Sequence, residues 1–208
     1  MLTIGIWIAL GTTNSCSTIL KNLIKPIPLQ YHFRPQKHVK SFDAITREFR
    51  QKLKQLNLAE KAFKVNKYFS EGLGEKSSLK LLFEDGLIDS PKDFKGIYIF
   101  IKNKTPIYTG ISKGVIKRII QHTKGHSHHT SSFAFSLARA SYQKETGDYN
   151  RIPRKDFNYK EHVAPAKHYL LQQKIAFMKI EDDIELYLFE IYCAMELQTL
   201  MYNSFSTH

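Results

Sequence analysis

Two β-branched and aromatic runs, Gly96-Ile-Tyr-Ile-Phe-Ile101 and Pro106-Ile-Tyr-Thr109, stand only four residues apart, separated by Lys102-Asn-Lys-Thr105. Such runs favour strands, and a polar link of that length, with Asn103 able to take positive φ, leaves the chain room only for a tight turn. An antiparallel hairpin is expected. Alternation along a strand puts Tyr98 and Phe100 on one face and Ile97, Ile99 and Ile101 on the other. The isoleucine face is expected to be core, leaving Tyr98 to face a cleft.

Two helices are equally legible. Lys113 to Thr123 carries Val115, Ile116, Ile119 and Ile120 at spacings of three and four, the mark of one buried stripe, with Arg118 and His122 off that stripe and on a common face. An arginine on a helix is ordinarily a solvated charge, so Arg118 gains meaning only from its surroundings. Nearer the C-terminus, Ile184 to Leu200 reads as a second helix. Asp182, followed three residues on by Glu185, has the form of an N-cap and capping box, which also accounts for the acidic run Glu181-Asp182-Asp183 without a metal. Within this helix Glu190 has Leu186 and Tyr187 on the turn before it and Cys193 and Ala194 on the turn after. A carboxylate in such surroundings is costly unless a cation, a metal or hydrogen-bond donors meet it. Glu190 is therefore expected to be partnered, by a buried salt bridge or by a metal ion, with Glu196 as the fallback ligand.

In chain order, Gly96-Ile97-Tyr98, Tyr108-Thr109-Gly110, Arg118, Glu190 and, thirteen residues later, Asn203 resemble the GIY-YIG nuclease superfamily, from about Lys95 to the C-terminus. Thr109 stands where that family usually has isoleucine or valine, a β-branched exchange that a strand accepts. The resemblance implies an α+β fold, an α/β sandwich with a small central antiparallel sheet flanked by helices. It also implies a DNA endonuclease that hydrolyses phosphodiester bonds by a one-metal mechanism. Glu190 would hold Mg²⁺ or Mn²⁺; magnesium, largely hydrated, prefers one carboxylate plus phosphate oxygens and waters. Tyr98 would activate the attacking water, as a tyrosinate if Arg118 and His122 depress its pKa from about 10. Tyr108 would orient the water or the tyrosine, Arg118 would stabilise the pentacoordinate phosphorus, and His122 would bond Tyr98 or the phosphate. Asn203 would fix the C-terminal segment beside the site, with His208 a speculative addition. The competing readings are a catalytically inactive nucleic-acid-binding protein of the same fold, and a histidine-metal nuclease using His126, His128 and His129.

The net charge of +12, from 31 Lys and Arg against 19 Asp and Glu, creates a positive surface that attracts polyanions. DNA, expected to be double-stranded, is the natural partner. Candidate contacts are Lys113 and Lys117 beside the arginine helix, and His126 and His128 in the loop that follows it. Adjacent loop histidines rarely converge on one ion, so phosphate or base contact is the better expectation for them. Arg151, Arg154 and Lys155 lie in a basic, aromatic stretch from Gly147 to Lys167. It reads either as an insertion suited to a DNA groove or strand or as a plain surface loop. Thr130-Ser131-Ser132 offers N-cap residues for a helix through Ala134, Leu137, Ala138 and Tyr142. No Walker loop or dinucleotide fingerprint occurs, and no nucleotide cofactor is expected.

At 208 residues, 42% hydrophobic and 24% charged, the chain can bury a core as one domain or two small ones. Residues 1–91 read as a mainly helical region with a DNA-binding or supporting role. There Phe42, Ile45, Phe49, Leu53 and Leu56 recur at helical spacing between a Ser41 cap and Asn57, with Arg47, Arg50 and Lys54 opposite. Apolar clusters at Leu58 to Phe69 and Leu79 to Ile88 suggest two further short helices. Ser90-Pro91 is the expected boundary before a nuclease domain at 92–208. The only cysteines, Cys16 and Cys193, exclude a disulfide framework or a four-cysteine zinc site. The first twenty residues are uncharged and Leu2 to Leu10 is apolar, but no basic segment precedes them and Gly11 to Thr18 is too polar to span a bilayer. A cytoplasmic protein with no membrane partner is expected. Nothing in the sequence fixes an oligomeric state.

Overall fold

The computed structural model describes residues 41–125, 129–150 and 152–203, all within one compact unit. Strands β1 (Phe63–Lys64), β2 (Gly96–Lys102), β3 (Thr105–Ser112) and β4 (Lys174–Lys179) form a single antiparallel sheet in the order β1-β4-β2-β3. The protein is thus α+β, built on a small antiparallel sheet. β2 and β3 make the expected hairpin. Asn103 and Lys104 both take positive φ, 47° and 72°, the two-residue turn whose twist suits the flanking strands. Tyr98 pairs with Gly110 and Phe100 with Tyr108, and an irregularity between Phe100 and Ile101 absorbs the offset toward the turn.

Both glycines of the hairpin are demanded by close approach. A Cβ on Gly96 would run into the Met178 carbonyl of β4, and one on Gly110 would lie 2.6 Å from the Tyr98 hydroxyl oxygen. Both neighbours are held, the first by strand pairing and the second by burial.

Helices cover both faces. On the isoleucine face, α1 (Phe42–Arg47) and α2 (Phe49–Leu56) bring Ile45, Phe49 and Leu56 onto Ile97, Ile99 and Ile101. α3 (Val65–Phe69), α4 (Glu75–Glu84), α5 (Val115–Thr123), α6 (Ser132–Thr146) and α7 (Ala164–Leu171) pack on the Tyr98 and Phe100 face. α8 (Asp183–Glu196) completes the isoleucine side with Leu186, Phe189 and Cys193. The expectation of one core face and one cleft face is therefore corrected: both faces are core, and Tyr98 is buried. Residues before Ser90-Pro91 share this core with residues after it, and β1 pairs with β4, so the packing has no break at residue 91. The single helix expected over 42–56 is two, divided at Glu48, and Phe42 at its outer end stays 65% exposed.

The caps explain where the helices begin. Ser41 Oγ accepts from Ala44 N at 3.2 Å, Ser131 Oγ from Ala134 N at 2.9 Å, and Asp182 Oδ1 from Glu185 N at 2.9 Å. α5 is capped from a distance, by Asp93, whose carboxylate accepts from Ile116 N at 2.9 Å and Lys117 N at 3.0 Å. The stretch after Gly147 is not a plain surface loop. A 3₁₀ turn at Arg154–Asp156 and a wide helical turn at Tyr159–Val163 lead into α7, and Phe157, Val163 and Ala166 pack on Phe135 and Ala138 of α6.

Candidate active site

A cleft of about 1050 Å³ is bounded by β3, α6, the segment at Arg154, α8 and Tyr202-Asn203. Into it come Tyr108, Glu190 and Asn203. Glu190 lies off the stripe by which α8 packs on the sheet and is half-buried; desolvation pushes its carboxyl from the usual 4.5 to about 7. Among the described residues it makes no ion pair or hydrogen bond, so the expected structural salt bridge is not what holds it. Asn203 Nδ2 donates to the Thr109 carbonyl at 2.6 Å, and Thr199 Oγ1 donates to Thr109 Oγ1 at 3.0 Å. These bonds tie the segment after α8 to β3. Asn203 Oδ1 is buried with no hydrogen-bond partner among the described residues.

Tyr108 is 8% exposed and stacks on Phe133, with ring centroids 4.0 Å apart and planes 9° from parallel. Burial raises its pKa and the Glu190 charge adds to the effect, while Arg118 opposes it. Tyr98 lies behind it, 1% exposed. A 2.7 Å hydrogen bond joins the Tyr98 hydroxyl to His122 Nε2, and a 2.5 Å bond joins His122 Nδ1 to Ser131 Oγ. The Tyr98 and Tyr108 hydroxyls also interact.

These positions correct two expectations. The depression of the Tyr98 pKa expected from Arg118 and His122 is not found: burial, reinforced by Tyr108, pushes it well above 10, with Arg118 acting in the opposite direction. His122 does not lie off the apolar stripe; with an exposure of 0% it belongs to it, beside Val115, Ile116 and Ile119. A buried imidazole needs partners, and Tyr98 and Ser131 supply them. Desolvation, followed by the charges of Arg118 and Lys167, keeps its pKa well below 6.5, so the ring is neutral. Arg118 is half-buried, donates from Nη1 to the Thr130 carbonyl and to Gln121 Oε1 at 3.1 Å each, and is not on the cleft wall. Its charge nonetheless acts on Tyr98, Tyr108 and His122.

Of the DNA-contact candidates, Arg154 lines the cleft, its guanidinium 4.6 Å above the Phe135 ring. Lys113, Lys117 and Lys155 are exposed and form no part of that wall. His126, His128, Arg151, His208 and all of residues 1–40, Cys16 included, lie outside the described residues. Glu196 is exposed, and the acidic run is taken up by the Asp182 cap and by Glu181–Lys179 and Asp183–Lys95 ion pairs at 2.8 and 2.9 Å. Sequence reasoning misses Arg139 on α6, which lines the same cleft. The available signal is the polar stripe Ser132, Ser136 and Arg139, opposite the apolar Phe133, Leu137 and Ala138.

Comparison of the chain with protein-family models, with curated proteins and with solved structures finds no match. Among the described residues no helix is long and apolar enough to cross a membrane. None of them forms a cluster of three or more His, Cys, Asp or Glu suited to a metal, so a metal here would rest on few protein ligands. The one desolvated carboxylate on the cleft wall, Glu190, fits a hydrated magnesium ion, which needs one or two protein oxygens.

Proposed function

We propose that this chain is a divalent-metal-dependent endodeoxyribonuclease with a GIY-YIG-type site. The observation that carries the reading is Glu190, a carboxylate withdrawn from water in a cleft that also holds Arg139 and Arg154, with no cation bonded to it among the described residues. Such a group is unfavourable alone and becomes favourable when a cation joins it. Glu190 would hold Mg²⁺, and Asn203, which lines the same cleft, would fix the segment after α8 beside it through its bond to the Thr109 carbonyl. When bound, the ion would neutralise charge on the leaving 3′ oxygen.

The remaining roles fall to the chain itself. Tyr108 reaches the cleft as a neutral phenol and orients the attacking water through its hydroxyl. Tyr98 and His122 fix that phenol from behind, and Ser131 fixes His122. Arg118 supplies positive potential across the tyrosine pair, a preorganised charge of the kind that stabilises developing anions. The test is cleavage of supercoiled plasmid. Nicking or linearisation with Mg²⁺ or Mn²⁺, its absence in EDTA, and its loss in Glu190→Gln with DNA affinity unchanged are expected. Undiminished cleavage in EDTA would sink the one-metal reading. The burial of Tyr98 favours the second reading, an inactive binding protein, which would give salt-sensitive DNA binding and no cleavage with either metal.

A further inference from the structure

A cleft that gripped DNA only by its backbone would need cations and little else. This one also has aromatic walls. Tyr187 is 61% exposed on α8, one turn before Glu190, and lines the cleft together with Tyr202, whose ring stands 5.4 Å from that of Phe133. Arg139 and Arg154 line it too, and neither meets a carboxylate in an ion pair among the described residues. Arg154 is held over the Phe135 ring, and a planar guanidinium suits a phosphate better than an ammonium does.

Base faces in a duplex are stacked on one another, so an aromatic ring beside the strand can stack only on a base that has left the helix. The volume, about 1050 Å³, lies at or beyond the upper end of ordinary small-molecule pockets of about 300–1,000 Å³. It suits a short run of nucleotides. We propose that the cleft takes a single-stranded segment of polynucleotide, with Arg139 and Arg154 on its phosphates and Tyr187 stacked on a base beside the bond presented to Glu190. This rests on the nuclease reading for the final clause and deepens it. The preferred substrate is then a strand unpaired at the cleavage point, such as a flap, a gap or a frayed end.

The test separates binding from chemistry by using Glu190→Gln protein in EDTA. A labelled oligothymidylate of about twelve nucleotides, within the range of single-strand site sizes, is compared by fluorescence anisotropy with a blunt hairpin duplex of the same label. The single strand is expected to bind at least about tenfold more tightly. Arg139→Gln should weaken single-strand binding and shallow its log–log salt slope by about 0.7, the value of one phosphate on a single strand. Tyr187→Leu, at an exposed position that the fold does not depend on, should weaken binding about tenfold, as loss of one base-stacking ring does, with the slope unchanged. It should also abolish the fluorescence change of a 2-aminopurine in the strand. Duplex binding as tight as single-strand binding, or variants that bind as their parent does, would overturn the proposal. Wild-type cleavage is scored separately. If nothing is cut but this binding pattern appears, the strand site stands and the nuclease reading falls; duplex cutting with unaffected variants gives the reverse.

Discussion

In the proposed reaction Glu190 would carry the chemistry, and burial alone moves its carboxyl to about 7. A folded-state pKa above the ordinary 4.5 means that the folded protein holds a proton that the unfolded chain releases. The associated stability is fully present below 4.5 and is lost as pH rises through 7. In EDTA, Glu190→Gln should therefore melt higher than the wild type at pH 8 by about 1–2 kcal/mol, after discounting for partial exposure, with the difference vanishing near pH 4.5. An equal difference at both pH values would remove desolvation as the cause. An ion held by Glu190, as proposed, would compete with that proton, so Mg²⁺ affinity measured by calorimetry should climb up to about pH 7 and level off above it. Of the tyrosines, Tyr108→Phe should lower the single-turnover cleavage rate by about 10². Tyr98→Phe should instead cost about 1–3 kcal/mol of stability, because it leaves buried His122 Nε2 without its partner. Glu190 and Asn203 are legible in sequence because motif spacing marks them. The burial of Tyr98 is not, since alternation along a strand separates two faces without saying which of them another element will cover.

At the scale of elements, the β2–β3 hairpin is written locally: strand-forming runs, Asn103 in the turn, and glycines where neighbours come too close. The N-termini of α1, α6 and α8 are likewise marked by Ser41, Ser131 and Asp182. α5 is different, because its cap, Asp93, stands more than twenty residues before the amides it serves. β1 pairs only two residues with β4, too few to leave a pattern, and the split at Glu48 falls where the sequence has neither glycine nor proline to announce it. Asp93 thus ties the segment before β2 to the helix that carries Arg118 and His122. Asp93→Ala should destabilise the protein by about 1–2 kcal/mol, the usual cost of removing an N-cap, in a denaturant titration at pH 7. Asp93→Asn keeps an acceptor oxygen and should recover much of that stability. If alanine and asparagine proved equally harmless, α5 would be positioned by its apolar stripe alone.

For the whole molecule, the charge of +12 and the geometry of the cleft would make separable contributions to the proposed DNA binding. Long-range attraction depends on the sum of charges and is screened by salt, whereas the proposed chemical step would depend on the few groups beside Glu190. Lys113, Lys117 and Lys155 are exposed and off the cleft wall, while Arg139 and Arg154 are on it. Replacing the three lysines by glutamine should weaken DNA binding and shallow the salt slope by up to about 0.9 for each duplex phosphate that is no longer neutralised. The single-turnover rate at saturating DNA should not change. Replacing Arg139 and Arg154 should also lower that rate, because a strand that is bound but misplaced by about an ångström loses alignment, which can cost about 10²-fold. The measurement is a matched pair of salt titrations and saturating single-turnover assays on the two multiple variants. A slower rate in the lysine variant, with the arginine variant cutting at full speed, would mean that the scissile phosphate lies over α5 rather than in the cleft, and Glu190 would lose its place at the centre of the reaction.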